Sequence, residues 1–110
     1  MDPTQQPPEP AGELSERQRR YLRGLAHPLR PVIRVGGAGF TSGLARETLR
    51  ALSDHELIKV KAPGGDRTAR DALFAALARE TGSTLVQRIG NTAVLYRAHP
   101  ELPRILIPDT

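Results

Sequence analysis

Two segments of strand character flank one of helical character between residues 32 and 62, and this arrangement restricts the fold more than any other feature of the chain. Val32, Ile33, Arg34 and Val35 form a short β-branched run. Residues 57–62 (LIKVKA) alternate, with Ile58 and Val60 on one face and Lys59 and Lys61 on the other. Between them, Leu44, Thr48, Leu52 and His55 recur at helical spacing. A strand, a helix and a strand joined by short turns make a right-handed crossover with parallel strands.

The flanking segments extend this unit. Ser15 and Gln18 form a capping box that starts a helix running to about Ala26. Leu14, Gln18, Tyr21, Leu22, Leu25 and, at the margin, Leu29 fall on one side of it, with Arg19, Arg20 and Arg23 opposite. Pro28 and Pro31 end that helix. After a turn at Pro63, Gly64 and Gly65, a capping box of Thr68 and Asp71 predicts a third helix. Its Leu73, Phe74, Leu77 and Ala78 face inward, and Gly82 stops it. Residues 84–89 and 92–97 read as antiparallel strands joined by Gly90 and Asn91, a pair suited to positive φ. Two crossovers and a hairpin predict an α/β fold in the order αβαβαββ, a mixed four-stranded sheet packed against three helices.

A chain of 110 residues holds one domain of this kind. Residues 1–13, with four prolines and no large apolar side chain after Met1, are expected to be a disordered tail. The domain then spans 14–98. Residues 99–110, with three prolines around Ile105, Leu106 and Ile107, form an extended C-terminal tail suited to docking on its own domain or on a partner. Without cysteine the chain has no disulfide scaffold, zinc knuckle or thiol nucleophile, which points to the cytoplasm. No apolar run is long enough for a bilayer, and the start lacks a basic region followed by an apolar one, so neither membrane spanning nor secretion is expected.

Charge narrows the partner. The formal net charge is +4, but residues 1–13 are purely acidic, so the remainder carries +7. Eight arginines against Glu16 and Glu47 concentrate that excess in residues 14–50. Arginine pairs with phosphate and stacks on bases, which favours a nucleic acid over a neutral partner. Within this half, Gly36, Gly37, Ala38 and Gly39 lie where the first strand turns into the second helix. Glycines there remove side chains that would hold a nucleic-acid backbone away. The helix start that follows, capped by Thr41 or Ser42, presents amides to a phosphate. Arg34 before the turn and Arg46 one turn into the helix add charge. The same residues serve equally as a tight turn in which glycine supplies unusual backbone angles. The turn is neither a P-loop, lacking Lys-Ser or Lys-Thr, nor a GxGxxG dinucleotide turn. It follows a strand, whereas the GxxG of KH domains joins two helices.

Four blocks, LAHPLRP at 25–31, VGGAGFT at 35–41, HELIKVK at 55–61, and Ile89-Gly90 with Leu95-Tyr96-Arg97, resemble the bacterial YhbY family in order and spacing. This is the stand-alone form of the CRM domain, which also occurs in plant organelle splicing factors. The resemblance covers residues 14 to about 98. It implies a fold similar to the C-terminal domain of a bacterial translation initiation factor, RNA binding around the GxxG loop, and association with precursors of the large ribosomal subunit. Gly36 and Gly39 match the loop's defining glycines. Many members carry a lysine within the loop; Gly37 and Ala38 here leave charge to Arg34 and the first helix.

The expected RNA surface therefore comprises Gly36, Gly37, Ala38, Gly39, Phe40 and Thr41, with Arg19, Arg20, Arg23, Arg34, Arg46, Lys59 and Lys61 supplying charge. Phe40 either anchors the turn on the core or stacks on a base. Asp54, His55 and Glu56 look like a charge relay or metal cluster, but three adjacent residues cannot converge as ligands, and a structural role at a helix end is expected. His27, His99 and the serines have no partner at catalytic spacing. The expectation is a monomeric, cytoplasmic, non-enzymatic protein without cofactor or metal, acting on ribosomal RNA. The alternatives are a regulator of messenger, transfer or intron RNA, a DNA binder, and a small enzyme using His55.

Overall fold

The computed structural model describes residues 13–110, so the tail expected over residues 1–13 lies, apart from Glu13, outside the described residues. Helix α1 (Glu16–Ala26) begins at the expected capping box: Ser15 Oγ accepts from the Gln18 amide at 3.0 Å, and Gln18 Oε1 accepts from the Ser15 amide at 2.9 Å. Strand β1 (Pro31–Arg34), helix α2 (Ser42–His55), strand β2 (Leu57–Lys61), helix α3 (Arg67–Thr81), and strands β3 (Thr84–Ile89) and β4 (Thr92–Tyr96) follow in αβαβαββ order. Thr41 caps α2, its Oγ1 accepting from the Leu44 amide at 3.0 Å. Gly82 ends α3 at a φ of 64°. Helix α3 starts before Thr68, because Asp66 is its cap and Oδ1 accepts from the Thr68 amide at 3.0 Å. Asp71, expected to pair with Thr68, instead lies 2.6 Å from Arg88 Nε on β3. No described helix is long and apolar enough to cross a membrane.

The sheet order is β1-β2-β4-β3. Strands β1 and β2 are parallel, as their crossover requires, with Arg34 beside Lys61. The hairpin of β3 and β4 then inserts its second strand next to β2, so β4 is antiparallel to both neighbours. In the hairpin turn Gly90 has a φ of 58°, whereas Asn91 has an ordinary φ and uses its side chain, Nδ2 donating to the Ala62 carbonyl at 2.9 Å.

Both faces of the sheet are covered. Ile33, Val35, Ile58, Val60, Ala93 and Leu95 pack under α2 and α3, where Leu44, Leu52, Phe74 and Leu77 are buried against them. The opposite face buries Leu57, Val86, Val94 and Tyr96 under Leu22 and Ala26 of α1. Helix α1 is rotated from the expected side: Leu22 is buried with Ala26, and Leu14 packs beside them, but Tyr21, Leu25 and Leu29 are about 40% exposed and Arg19 is half-buried. The pairing of β3 with β4 is irregular between Leu85 and Gln87. Arg19 Nη1 donates to the carbonyls of Leu85 and Val86 there, at 3.1 and 3.2 Å, on the side of the helix that faces the sheet.

The C-terminal tail docks on its own domain, with Ala98, Ile105 and Ile107 packed beside the α1 cluster. Glu56, fully buried and at a φ of 65°, holds it there. Its Oε2 accepts from the His99 amide at 2.8 Å, and its Oε1 accepts from the amides of Arg104 and Ile105 at 2.7 and 3.0 Å. Burial alone would push this carboxyl up, but the three amides and the Arg104 charge outweigh it and hold the carboxyl below its ordinary value. Arg104 Nη2 also donates to the carbonyls of Ser53 and Asp54 at the end of α2.

Candidate nucleic-acid interface

Parallel neighbours end at the same edge of a sheet, so β1 and β2 deliver their following loops side by side. The Val35 amide donates to the Lys61 carbonyl at 2.8 Å and keeps the strands together up to the first glycine. Residues 36–39 then turn, closed by the Gly39 amide donating to the Gly36 carbonyl at 3.1 Å, with Gly39 at a φ of 71°. From β2, Pro63, Gly64 and Gly65 lead to Asp66. The two glycine turns and the first half of α3 enclose a cleft of about 460 Å³, lined by Gly36, Gly37, Phe40, Pro63, Gly64 and Arg70 among others.

The glycines of the first turn are not equivalent. Gly39 needs its positive φ, which side-chain-bearing residues adopt at a cost. Gly36 and Gly37 have ordinary φ, and a Cβ at either would meet nothing within 4 Å. Nothing in the fold demands glycine at these two positions, and what their bareness provides is access from outside. Phe40 is 40% exposed and belongs to neither buried cluster, so it walls the cleft instead of anchoring the turn. Ala38 and Thr41 are exposed at the same loop.

The expected basic residues divide into three groups. Arg34 and Lys61 are exposed neighbours on adjacent strands, directly before the two turns, on the part of the sheet that α1 leaves open. Lys59 lies one row further in, where its Nζ donates to the His27 carbonyl at 3.1 Å at the end of α1. Arg46 is exposed early in α2. The α1 arginines sit on the opposite layer of the domain from the cleft. Arg19 is bound to β3, Arg23 donates to Glu16 Oε1 at 2.9 Å, and Arg20 is exposed. The Arg23 guanidinium, through its hydrogen bond and its charge, holds the Glu16 carboxyl below its ordinary value.

Sequence reasoning missed the second wall of the cleft, Pro63, Gly64 and Arg70. Its signal is a second glycine turn following a strand parallel to the first. It also missed the inward turn of Glu56; His55 and Asp54 remain exposed, so the three adjacent residues do not converge. Among the described residues no group of three or more His, Cys, Asp or Glu side chains could hold a metal ion.

Comparison with known proteins agrees with this architecture. The model of the CRS1/YhbY (CRM) domain matches residues 14–97. An RNA-binding protein of Haemophilus influenzae is 47% identical over 95 residues, covering 83% of this chain and 96% of the relative. The probable RNA-binding protein YqeI of Bacillus subtilis is 37% identical, covering 86% of this chain and 99% of the relative. A CRM-domain containing factor of Oryza sativa, CFM3, matches at 30% identity over 76% of this chain but only 10% of its own length. The solution structure of the hypothetical protein SAV1595 from Staphylococcus aureus superposes with a TM-score of 0.75 at 34% identity, covering 87% of this chain and all of that one. With the domain model matching residues 14–97 and relatives up to 47% identical over nearly their whole length, the chain belongs to the CRS1/YhbY (CRM) domain family.

Proposed function

We propose that this protein is a non-enzymatic RNA-binding protein acting on ribosomal RNA in precursors of the large subunit. The observation that carries the reading is the pair of bare glycines, Gly36 and Gly37, beside exposed Arg34 and Lys61 at one end of the sheet. A phosphate can approach the loop backbone there, and two cations stand within the same edge to neutralise its neighbours. The relatives named as RNA-binding proteins support the polymer, and the family resemblance supports the ribosomal target. The protein acts in the cytoplasm as a monomer.

Engagement of about five phosphates predicts that the logarithm of affinity falls against the logarithm of salt with a slope of roughly −3.5 to −4.5. A salt titration with a ribosomal RNA fragment measures it, and a flat response overturns the mechanism. Sedimentation of a native lysate tests the target: the protein travels with particles near the large subunit if the ribosomal reading holds and stays at the top of the gradient if it fails.

A further inference from the structure

We propose that the cleft between the two glycine turns and α3 holds one unpaired nucleotide of the RNA, its phosphate over Gly36 and Gly37 and its base between Phe40 and α3. The inference deepens the RNA-binding reading and rests on it.

A third glycine carries the first step. Gly64, on the opposite wall from Gly36 and Gly37, also has an ordinary φ and open space where a Cβ would stand. By contrast, Gly39 and Gly65 have φ of 71° and 129°, so their own turns explain them. Three glycines that neither packing nor backbone angle requires line a single cleft. Bareness on both walls widens a slot, whereas a phosphate contact alone needs it on one.

The walls suit a base. Phe40 offers an aromatic ring that the core does not use, and Leu73 with the exposed Ala72 supplies an apolar surface on α3. Arg70 lines the same cleft, and its buried Nε has no hydrogen-bond partner among the described residues. A volume of about 460 Å³ is that of a site for one small ligand, not for a helical stem. Bases in an A-form duplex are inaccessible to such a slot, whereas an unpaired base can be splayed out and stacked on an aromatic ring. Charge sets the direction: the Asp66 carboxylate stands at the α3 rim and repels a phosphate, while Arg34 precedes the opposite rim.

The test compares three RNA hairpins of equal charge: fully paired, carrying a single-nucleotide bulge, and carrying an abasic bulge. The bulged hairpin is expected to bind about 10-fold more tightly than the paired one, and the abasic hairpin to behave like the paired one. Phe40→Ala should remove this preference, and so should Ala72→Leu, which fills the slot from an exposed helix position. Ala72→Leu should leave affinity for the paired hairpin and the melting temperature unchanged. Equal affinity for all three hairpins overturns the cleft proposal and leaves RNA binding standing. Failure to bind any of them overturns both.

Discussion

The two ends of the sheet make opposite use of an irregular backbone. At the end where α2 meets β2, Glu56 takes up a positive φ and buries its carboxylate, and both of its oxygens accept from amides of the C-terminal tail. At the end where β1 and β2 finish, two glycine turns face each other across a cleft that no other part of the described chain fills. One end uses its polar groups internally, and the other leaves them available. Unusual residues at the closed end therefore read as stability, while bare glycines and an unclaimed aromatic ring at the open end read as binding.

Breaking the closed end should have the largest effect. Glu56→Ala leaves the amides of His99, Arg104 and Ile105 without their acceptor and is expected to cost about 3 kcal/mol of stability. Chemical denaturation measures the loss, and hydrogen exchange should show lost protection at Arg104 and Ile105. RNA affinity of the folded fraction should not change, since the cleft lies at the other end. A large loss of affinity would show that the two ends are coupled.

At the open end the expected effect reverses. The double variant Gly36→Asp, Gly37→Asp places two carboxylates where phosphate approaches, each costing about 1 kcal/mol across solvent, or roughly 30-fold in affinity together. Both positions have ordinary φ and open surroundings, so the melting temperature should stay close to that of the parent. Unchanged affinity in a titration would remove the glycine turn from the interface.

Acid sharpens the comparison with a smaller effect. Because the folded chain holds the Glu56 carboxyl below the ordinary value of 4.5, the stability it contributes is complete above that pH. It is lost as pH falls through the lowered value. Thermal unfolding between pH 6 and 3 should therefore steepen in the parent relative to Glu56→Gln. Identical profiles would mean that the carboxylate charge does not hold the tail.

The elements themselves were readable because their causes are local. The Ser15 and Gln18 box, the alternation across Ile58 to Val60, and the stop at Gly82 each act within a few residues, and all three occur where the sequence places them. The first turn of the site was readable for the same reason, and the family resemblance extended that reading to RNA. Arg19 shows where local reading ends. By helical spacing it belongs with Arg20 and Arg23 on an exposed face, yet it is half-buried and donates to carbonyls more than 60 residues away.

The sequence by itself determined the αβαβαββ order, the caps of α1 and α2 and the glycine turn, since short-range geometry and side-chain periodicity suffice for these. Tertiary structure alone decided which side of α1 faces the sheet, that the C-terminal tail closes over Glu56, and that a second glycine turn completes the cleft. Each depends on strand order and on which distant backbone groups are left unpaired. Those are consequences of the whole sheet, which no neighbourhood of the chain contains.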